Sequence, residues 1–426
     1  MTSSTATNWK NWSGDTQVTG ATVHRPQTIA ELQTLVTSSH DTLRPVGSGH
    51  SWTALVPSHH IISLEHFSSV GRVDDTGCVW IGAGAPLHQI SPDLALQYYA
   101  FRNLGDINVQ TLAGATATAT HGSGASLPCL SADIKGVKLV TASGDHITIS
   151  ADENSSWLPA AQVSLGTLGI ITDIAMQLVP HYRLHRRVWF APLKDIRDQA
   201  THLWNTHRNF EFFYIPFSGH CMAINHDITD AMDTPRGHDE SDAAVAQLKF
   251  IRDWTRWWPW LRQILLSKAI ANAPGEEVVG ESHCLLASER NTLFNEMEYH
   301  LPAAHGLSCL DEIISLLERR HSSLYFPIEV RQTASDPALL SPFQDGPRIS
   351  IAVHCGAGDD YRAVLSDIEP IFKRYRGRPH WGKLNSATQA ELRTLYPHFD
   401  TFNEIRKTLD PTGRFLNPYL QSLFNA

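Results

Sequence analysis

Eight residues, Pro45-Val46-Gly47-Ser48-Gly49-His50-Ser51-Trp52, place a nucleophile directly after a loop suited to an anion. Two glycines around one serine let a tight turn aim several backbone N–H groups at a single phosphate. An imidazole beside such a cradle, here His50, suits a flavin ring. A Gly-rich turn next to an ordinary surface histidine would have the same sequence, so the loop alone leaves both readings open. A second pair stands at Glu329 and Arg331 in YFPIEVRQT. On a strand, residues i and i+2 share a face, so this carboxylate and guanidinium can meet one ligand. A structural ion pair on an exposed sheet has that spacing too. Lys383 in HWGK and His354 in IAVHCGAG complete the set of groups that could bring charge to a pocket.

Between these two regions lies NLGDINVQTLAGATATATHGSG, residues 103–124, almost free of charge and rich in Gly, Ala, Ser and Thr. Small residues let a flat ring or a pyrophosphate approach the backbone. The hydroxyls of Thr111, Thr118, Thr120 and Ser123 can hydrogen-bond phosphate or ring carbonyl oxygens. A buried Ala/Gly-rich strand and turn is the alternative, but Gly122-Ser123-Gly124 repeats the first Gly-Ser-Gly and favours a ligand.

The elements that must hold these residues are short. Residues 22–26 read as a strand, and Thr28 with Glu31 as a capping box opening a helix over 29–39. Residues 43–46 form the strand that feeds the Gly-Ser-Gly-His loop; 61–64 and 78–84 are further strands, and 87–98 a helix. Residues 137–141 and 146–149 make a hairpin, 164–173 return to apolar strand, and alternating β residues at 174–190 lead out of the first domain near 185. Beyond it the chain has longer helical stretches such as 309–320, an alternating strand at 210–215, and a polar helical insertion over 233–250. The insertion leads into Trp254-Thr-Arg-Trp-Trp-Pro-Trp260, which is expected to pack on the protein's own surface rather than on a membrane.

Composition excludes several classes. The 426 residues, 42% hydrophobic and 18% charged, suit two or three globular domains. A net charge of −9 argues against a nucleic-acid partner. The six cysteines show no C-x-x-C pair, which argues against a zinc ribbon, and no metal site is expected. Residues 1–12 are polar, without an apolar leader core, and no run of about 18 apolar residues would span a bilayer, so a cytoplasmic location is expected.

No G-x-G-x-x-G follows a strand, since Trp52 occupies the last position of the first loop. The order GSGHSW, NLGDI, ATATHGSG, Glu329-Val-Arg331 and HWGK instead resembles the vanillyl-alcohol-oxidase-type flavoproteins with a PCMH-type FAD-binding domain, in their sugar-lactone oxidase and alditol oxidase branch. The resemblance implies an α+β protein. It would have a two-subdomain FAD-binding domain over 1–185, an α+β substrate (cap) domain with an antiparallel sheet over 186–370, and a segment over 371–426 returning to the FAD domain. Val46, Gly47, Ser48, Gly49, Ser51, Gly105, Asp106, Thr111, Gly114, Thr118, Thr120, His121, Gly122 and Ile171 would line FAD, carried covalently by His50. Glu329, Arg331, Lys383 and His354 would be catalytic. The implied reaction is hydride transfer from a carbinol carbon of an aldono-1,4-lactone to flavin N5, with oxygen or another acceptor closing the cycle. An alditol is the alternative substrate. Gly105 leans towards oxygen, and Asp106 towards a lactone rather than a polyol.

Overall fold

The computed structural model describes residues 3–235, 237, 241–288 and 290–424. Three sheets position the site. The first has the order Ser3–Lys10, Gln17–Arg25, His60–Ser63, Leu43–Val46, with its last three strands parallel. The second is antiparallel, in the order Cys78–Gly82, Ile170–Gln177, Ile134–Val140, His146–Ser150. Leu43 and Ile62 of the first share one apolar core with Ile81, Val137, Leu139 and Ile174 of the second. The C-terminal helices Phe399–Leu409 and Pro418–Phe424 enter the same core through Phe399, Phe402, Leu420 and Phe424.

Leu43–Val46 ends where the glycine loop begins, and buried Arg44 anchors that edge. Its guanidinium donates to the carbonyls of Leu55, Leu165 and Gly166 at 2.7 Å and to Phe415 O at 2.5 Å. One buried cation thereby ties the loop, the 164–166 turn and the returning C-terminus together, each carbonyl offsetting part of its desolvation.

The third sheet is antiparallel throughout. Its order is Glu276–Glu281, Arg183–Pro192, His220–Thr229, Asn209–Ile215, Ile328–Thr333, Arg348–Gly356, Phe294–Pro302, Arg378–Pro379. Helices Leu193–Thr206, Ala303–Arg320 and Tyr361–Arg374 cover one face through Trp204, Ile313, Ile368 and Phe372. The opposite face meets the glycine loop and carries the charged residues. Trp52 N–H donates to Gly382 O at 2.7 Å and Thr53 Oγ1 to Trp381 O at 2.7 Å, so the GSGHSW loop and the HWGK turn are stitched to one another.

Several local expectations change. Ser3–Lys10 is a strand, although its polar residues gave no apolar alternation; it pairs along Gln17–Arg25. Thr28 caps its helix through Glu31 N–H, but the Glu31 carboxylate accepts from Gln27 N–H rather than closing the box on Thr28. The 309–320 helix begins at Ala303; Gly306, a poor helix former, lies where a Cβ would meet Ile349 at 2.5 Å, so close packing on the sheet outweighs propensity. Asn209–Ile215 is buried on both faces rather than alternating. The polar helix is Ser241–Trp254; residues 236 and 238–240 of that stretch lie outside the described residues. The tryptophan cluster does not pack on the protein's own surface. Trp254, Trp257, Trp258 and Trp260 are 53–76% exposed around the junction of Ser241–Trp254 with Pro259–Ala271. Among the described residues, no helix is long and apolar enough to cross a membrane.

Candidate active site

Two joined cavities follow from this arrangement. The smaller, about 110 Å³, is lined by Val46, Gly47, Ser48, Gly49, Thr111, Gly114 and Ile171, with Gly84 and the 164–166 turn. The larger, about 750 Å³, is lined by Gly105, Asp106, Thr120, His121, Glu329, Arg331, His354 and Lys383. His50, Ser51, Gln110 and Thr118 line both and so stand at the junction.

The cradle is built by close approach. A Cβ on Gly47 would lie 2.3 Å from Thr111 Oγ1, and one on Gly84 1.9 Å from Leu64 O. Gly49 has φ +72°, a left-handed conformation that glycine adopts without cost. Thr111 Oγ1 accepts from Gly114 N–H, fixing the turn that faces Gly47. Gln110 Oε1, buried at the junction, has no hydrogen-bond partner among the described residues. A long two-ended ligand with a phosphate centre and an amide-bearing ring suits such a groove, so these residues fit FAD. The His50 ring stacks on Trp12 at 5.3 Å and 24°. Desolvation first, then Lys383, push its imidazole down to about 4, leaving it neutral with a free lone pair at neutral pH.

Two residues expected at the ligand, Gly122 and Ser123, are displaced from both cavities. Gly122 lines neither cavity; a Cβ there would meet Leu104 O at 2.2 Å, and its carbonyl lies 2.9 Å from His121 Nδ1. It serves the packing between the 103–124 segment and the third sheet, where Gly124 pairs with Thr333. The second Gly-Ser-Gly is therefore a bridge rather than a second cradle.

The charged centre sits on the sheet face. Arg331 Nη2 is 2.8 Å from Glu298 Oε1 and 3.3 Å from Glu329 Oε2. The same Glu298 oxygen is 2.9 Å from His121 Nε2, so one carboxylate links the 103–124 segment to the arginine. Lys383 Nζ donates to Glu296 and lies 4.3 Å from the Trp52 ring centroid. His354 Nε2 is 3.6 Å from Glu296 Oε1, and its Nδ1 donates to Pro327 O. The four expected catalytic residues thus converge, each with a carboxylate neighbour.

Charge is distributed unequally among these carboxylates. Burial would raise Glu296, but Lys383 and His354 outweigh it and bring it down to about 2. Burial is likewise outweighed at Glu298, where Arg331 and His121 hold the carboxyl well below its usual range. At Glu329 burial wins over Arg331, and with Asp106 it pushes the carboxyl up to about 7. Glu211, directly across from Arg331 on the neighbouring strand, is pushed up to about 8 by burial and then by Asp106 and Glu329. Two carboxylates are therefore fixed anions and two titrate near neutrality, the separation that assigns acid–base work. Glu329 Oε1 and Arg331 Nε are buried and have no hydrogen-bond partner among the described residues, and both residues line the larger cavity.

Sequence reasoning missed Glu211, Glu296, Glu298, His380, Gln110 and Arg290, all of which line the cavity. Glu296 and Glu298 alternate in FNEMEYHLP with the same i, i+2 spacing that singled out Glu329 and Arg331. Glu211 is the lone charge within FEFFYI. Arg290, 3.2 Å from Asp106, carries no comparable signal. Three groups here have ligand atoms close enough for a metal ion: His121, Glu298 and His300; Glu296, Glu329 and His354; Asp106, Glu211 and Glu329. Arg331 or Lys383 already neutralises each, so a metal would have to displace a seated cation.

Comparison with known proteins agrees with this geometry. A family profile described as an FAD binding domain matches residues 21–150, and one described as D-arabinono-1,4-lactone oxidase matches residues 174–423. The chain is 34% identical to L-gulono-1,4-lactone dehydrogenase of Mycobacterium tuberculosis, over 96% of this chain and 97% of that protein. It is 28% identical to L-gulonolactone oxidase of Bos taurus, over 93% and 92%. Its fold matches cholesterol oxidase from B. sterolicum with a TM-score of 0.83 at 16% identity, covering 99% of this chain and 97% of that one, a likeness of fold alone. The protein is an FAD-dependent oxidoreductase with a PCMH-type FAD-binding domain. It belongs to the D-arabinono-1,4-lactone oxidase family.

Proposed function

We propose that this chain oxidises an aldono-1,4-lactone at a carbinol carbon, passing the electrons to oxygen or another acceptor. The observation that carries the reading is the pair of unpartnered buried atoms, Glu329 Oε1 and Arg331 Nε, on two residues that line the cavity joined to the FAD cradle. A hydroxylic substrate completes both: its hydroxyl donates to the carboxylate, and a ring or carbonyl oxygen accepts from the guanidinium. FAD, held from Val46–Ser51 through Thr111 and Thr118 to Gly105, supplies the two-electron acceptor when bound.

The chain's own groups do the rest. Glu329 Oε1 takes the hydroxyl proton as the C–H bond is broken, which its carboxyl near 7 suits. Arg331 and Lys383 stabilise negative charge growing on substrate oxygen. Glu298 and Glu296 hold those two cations in place. At His354 burial opposes the charged form, but Glu296 outweighs it and raises the imidazole, so the ring holds its proton more readily beside that carboxylate. The neutral imidazole of His50 at the cavity junction supports a covalent bond to the flavin's 8α carbon. Acid precipitation tests it: colour stays with wild-type protein and is released from His50→Ala.

Relatives bear the names dehydrogenase and oxidase, so the acceptor is the finer question. A Cβ on Gly105 would lie 2.9 Å from His121 O and 3.2 Å from Thr120 Cγ2; the glycine keeps this wall thin and favours oxygen access. Screening L-gulono-, L-galactono- and D-arabinono-1,4-lactones against xylitol and sorbitol, with peroxide and dye readouts, tests substrate and acceptor together. Turnover of lactones with peroxide formation supports the reading; turnover of the polyols alone overturns the lactone assignment.

A further inference from the structure

The sheet face that carries Arg331 continues well beyond it. Along Asn209–Ile215, Glu211 is followed on the same face by Phe213 and Ile215, which reach about 14 Å beyond Glu211 at about 3.4 Å per residue. Val188 and Ile224 on the next strands extend the surface sideways, and Leu266 and Ile270 of helix Pro259–Ala271 close it from above. These six side chains are 4–9% exposed, yet all of them line the larger cavity. The cavity is thus one chamber with a charged end and an apolar gallery.

Size and chemistry separate the two ends. A six-carbon lactone and a flavin ring each displace on the order of 200 Å³ at about 30 Å³ per water-sized piece. The cavity, about 750 Å³, is larger than the two together, so room is left beside them. The strands that carry these apolar side chains, with the neighbouring strand Glu276–Glu281, also bring His226, Arg186 and Glu276 to the cavity wall. His226 is pushed down to about 3 by burial and then by Arg186, so it is uncharged, and Arg186 is itself paired with Glu276. A second carbohydrate there would exchange hydrogen bonds with water for apolar walls, and each unsatisfied hydroxyl would weaken its binding. An apolar group would instead recover the dispersion contacts that lining atoms forgo around a void.

We propose that the gallery binds an apolar group, a ring system or short chain of about ten carbon atoms, beside the charged centre. Two sources share this chemistry. It is either a tail on the hydroxylic substrate or a quinone that takes up two electrons and two protons, becomes the hydroquinone and leaves the cofactor oxidised. Only the choice of head group rests on the lactone reading, so binding is measured without turnover.

The experiment is anaerobic isothermal titration with three probes, none of which can react: L-gulono-1,4-lactone and its primary-hydroxyl octanoyl ester into the reduced holoenzyme, and 2,3-dimethyl-1,4-naphthoquinone into the oxidised holoenzyme. Two variants accompany wild type: Ile215→Asn, which makes the gallery polar, and Val188→Phe, which fills it; the flavin spectrum and thermal midpoint report whether each is folded. The proposal expects the ester or the quinone to bind at least tenfold more tightly than the parent lactone, with a negative heat-capacity change, and to lose that advantage in both folded variants. Tightening of the ester alone assigns a substrate tail, and tightening of the quinone alone assigns an acceptor site. Neither probe binding more tightly than the lactone, or tight binding that both variants leave intact, overturns the gallery. Should the lactone never reduce the enzyme while a probe still binds, the functional reading fails and the gallery stands.

Discussion

The cofactor cradle and the charged sheet face meet at His50 and Lys383, but they are built on opposite principles. The cradle is made of backbone and small side chains, and its specificity is steric: Gly47 and Gly84 each lie where a single added carbon would collide. The sheet face is made of ionisable side chains in which Arg331 and Lys383 each have a buried carboxylate for a neighbour. One region should tolerate loss of a hydroxyl but no gain in volume. The other should tolerate changes of shape but no loss of a charge, because a stranded buried partner costs far more than the pair contributes.

The largest effect is expected at Arg331. Arg331→Met removes the group proposed to face substrate oxygen and leaves Glu298 and Glu329 without their cation; the rate of flavin reduction by lactone should fall on the order of 10³-fold in stopped flow. Arg331→Lys should recover only part of it, since an ammonium cannot span both carboxylates. If methionine costs nothing, the charge rule for this face is wrong.

Glu298→Gln comes next. Glu298 acts through Arg331 and His121, so the loss should lie in kcat, about a hundredfold, with KM little changed, and Glu298→Asp should restore part of the rate. A purely structural role would lower the thermal midpoint without that kcat-against-KM split.

On the cradle side, Gly47→Ala should lower the flavin content of purified protein through its collision with Thr111 Oγ1. The double variant Gly47→Ala/Thr111→Ala should restore it, leaving the nearest Thr111 carbon 3.4 Å away. Absorbance ratios at flavin and protein bands read this directly. Thr111→Ala alone should retain flavin; loss there would make the cradle depend on polar contacts rather than fit.

The smallest effect is in pH. With Glu329 near 7, the acid limb of kcat/KM should fall near pH 7 and move lower in Asp106→Asn, which removes a neighbouring negative charge. The sign for stability is opposite. Glu211 and Glu329 bind protons more tightly folded than unfolded, so they favour the fold below about pH 4.5 and lose that contribution as pH rises through about 7 to 8. Between pH 6 and 9 the thermal midpoint should fall less in Glu211→Gln than in wild type.

The two regions also differ in how far the sequence reveals them. A cradle is local: a strand ending at Val46, two glycines and a histidine lie within eight residues, and Thr111 belongs to a second short motif. The sheet face is assembled from afar. His121 and Glu298 are 177 residues apart, and no spacing rule connects them. Glu329 and Arg331 were legible because two charges alternate on a strand, and the same arithmetic applies to Glu296 and Glu298. Glu211 lies in a stretch expected to alternate, whereas both faces of that strand are buried. Gly122 erred the other way, since a repeated Gly-Ser-Gly signals close approach without saying to what.

The most direct test of the central claim, that Glu329 and Arg331 present an aldonolactone to bound FAD, is anaerobic mixing with L-gulono-1,4-lactone while the flavin absorbance is followed. The account predicts bleaching in wild type and an essentially unbleached spectrum in Arg331→Met with its flavin still bound. Equal bleaching in both would contradict it, and so would no bleaching of flavin-replete wild type by any aldono-1,4-lactone.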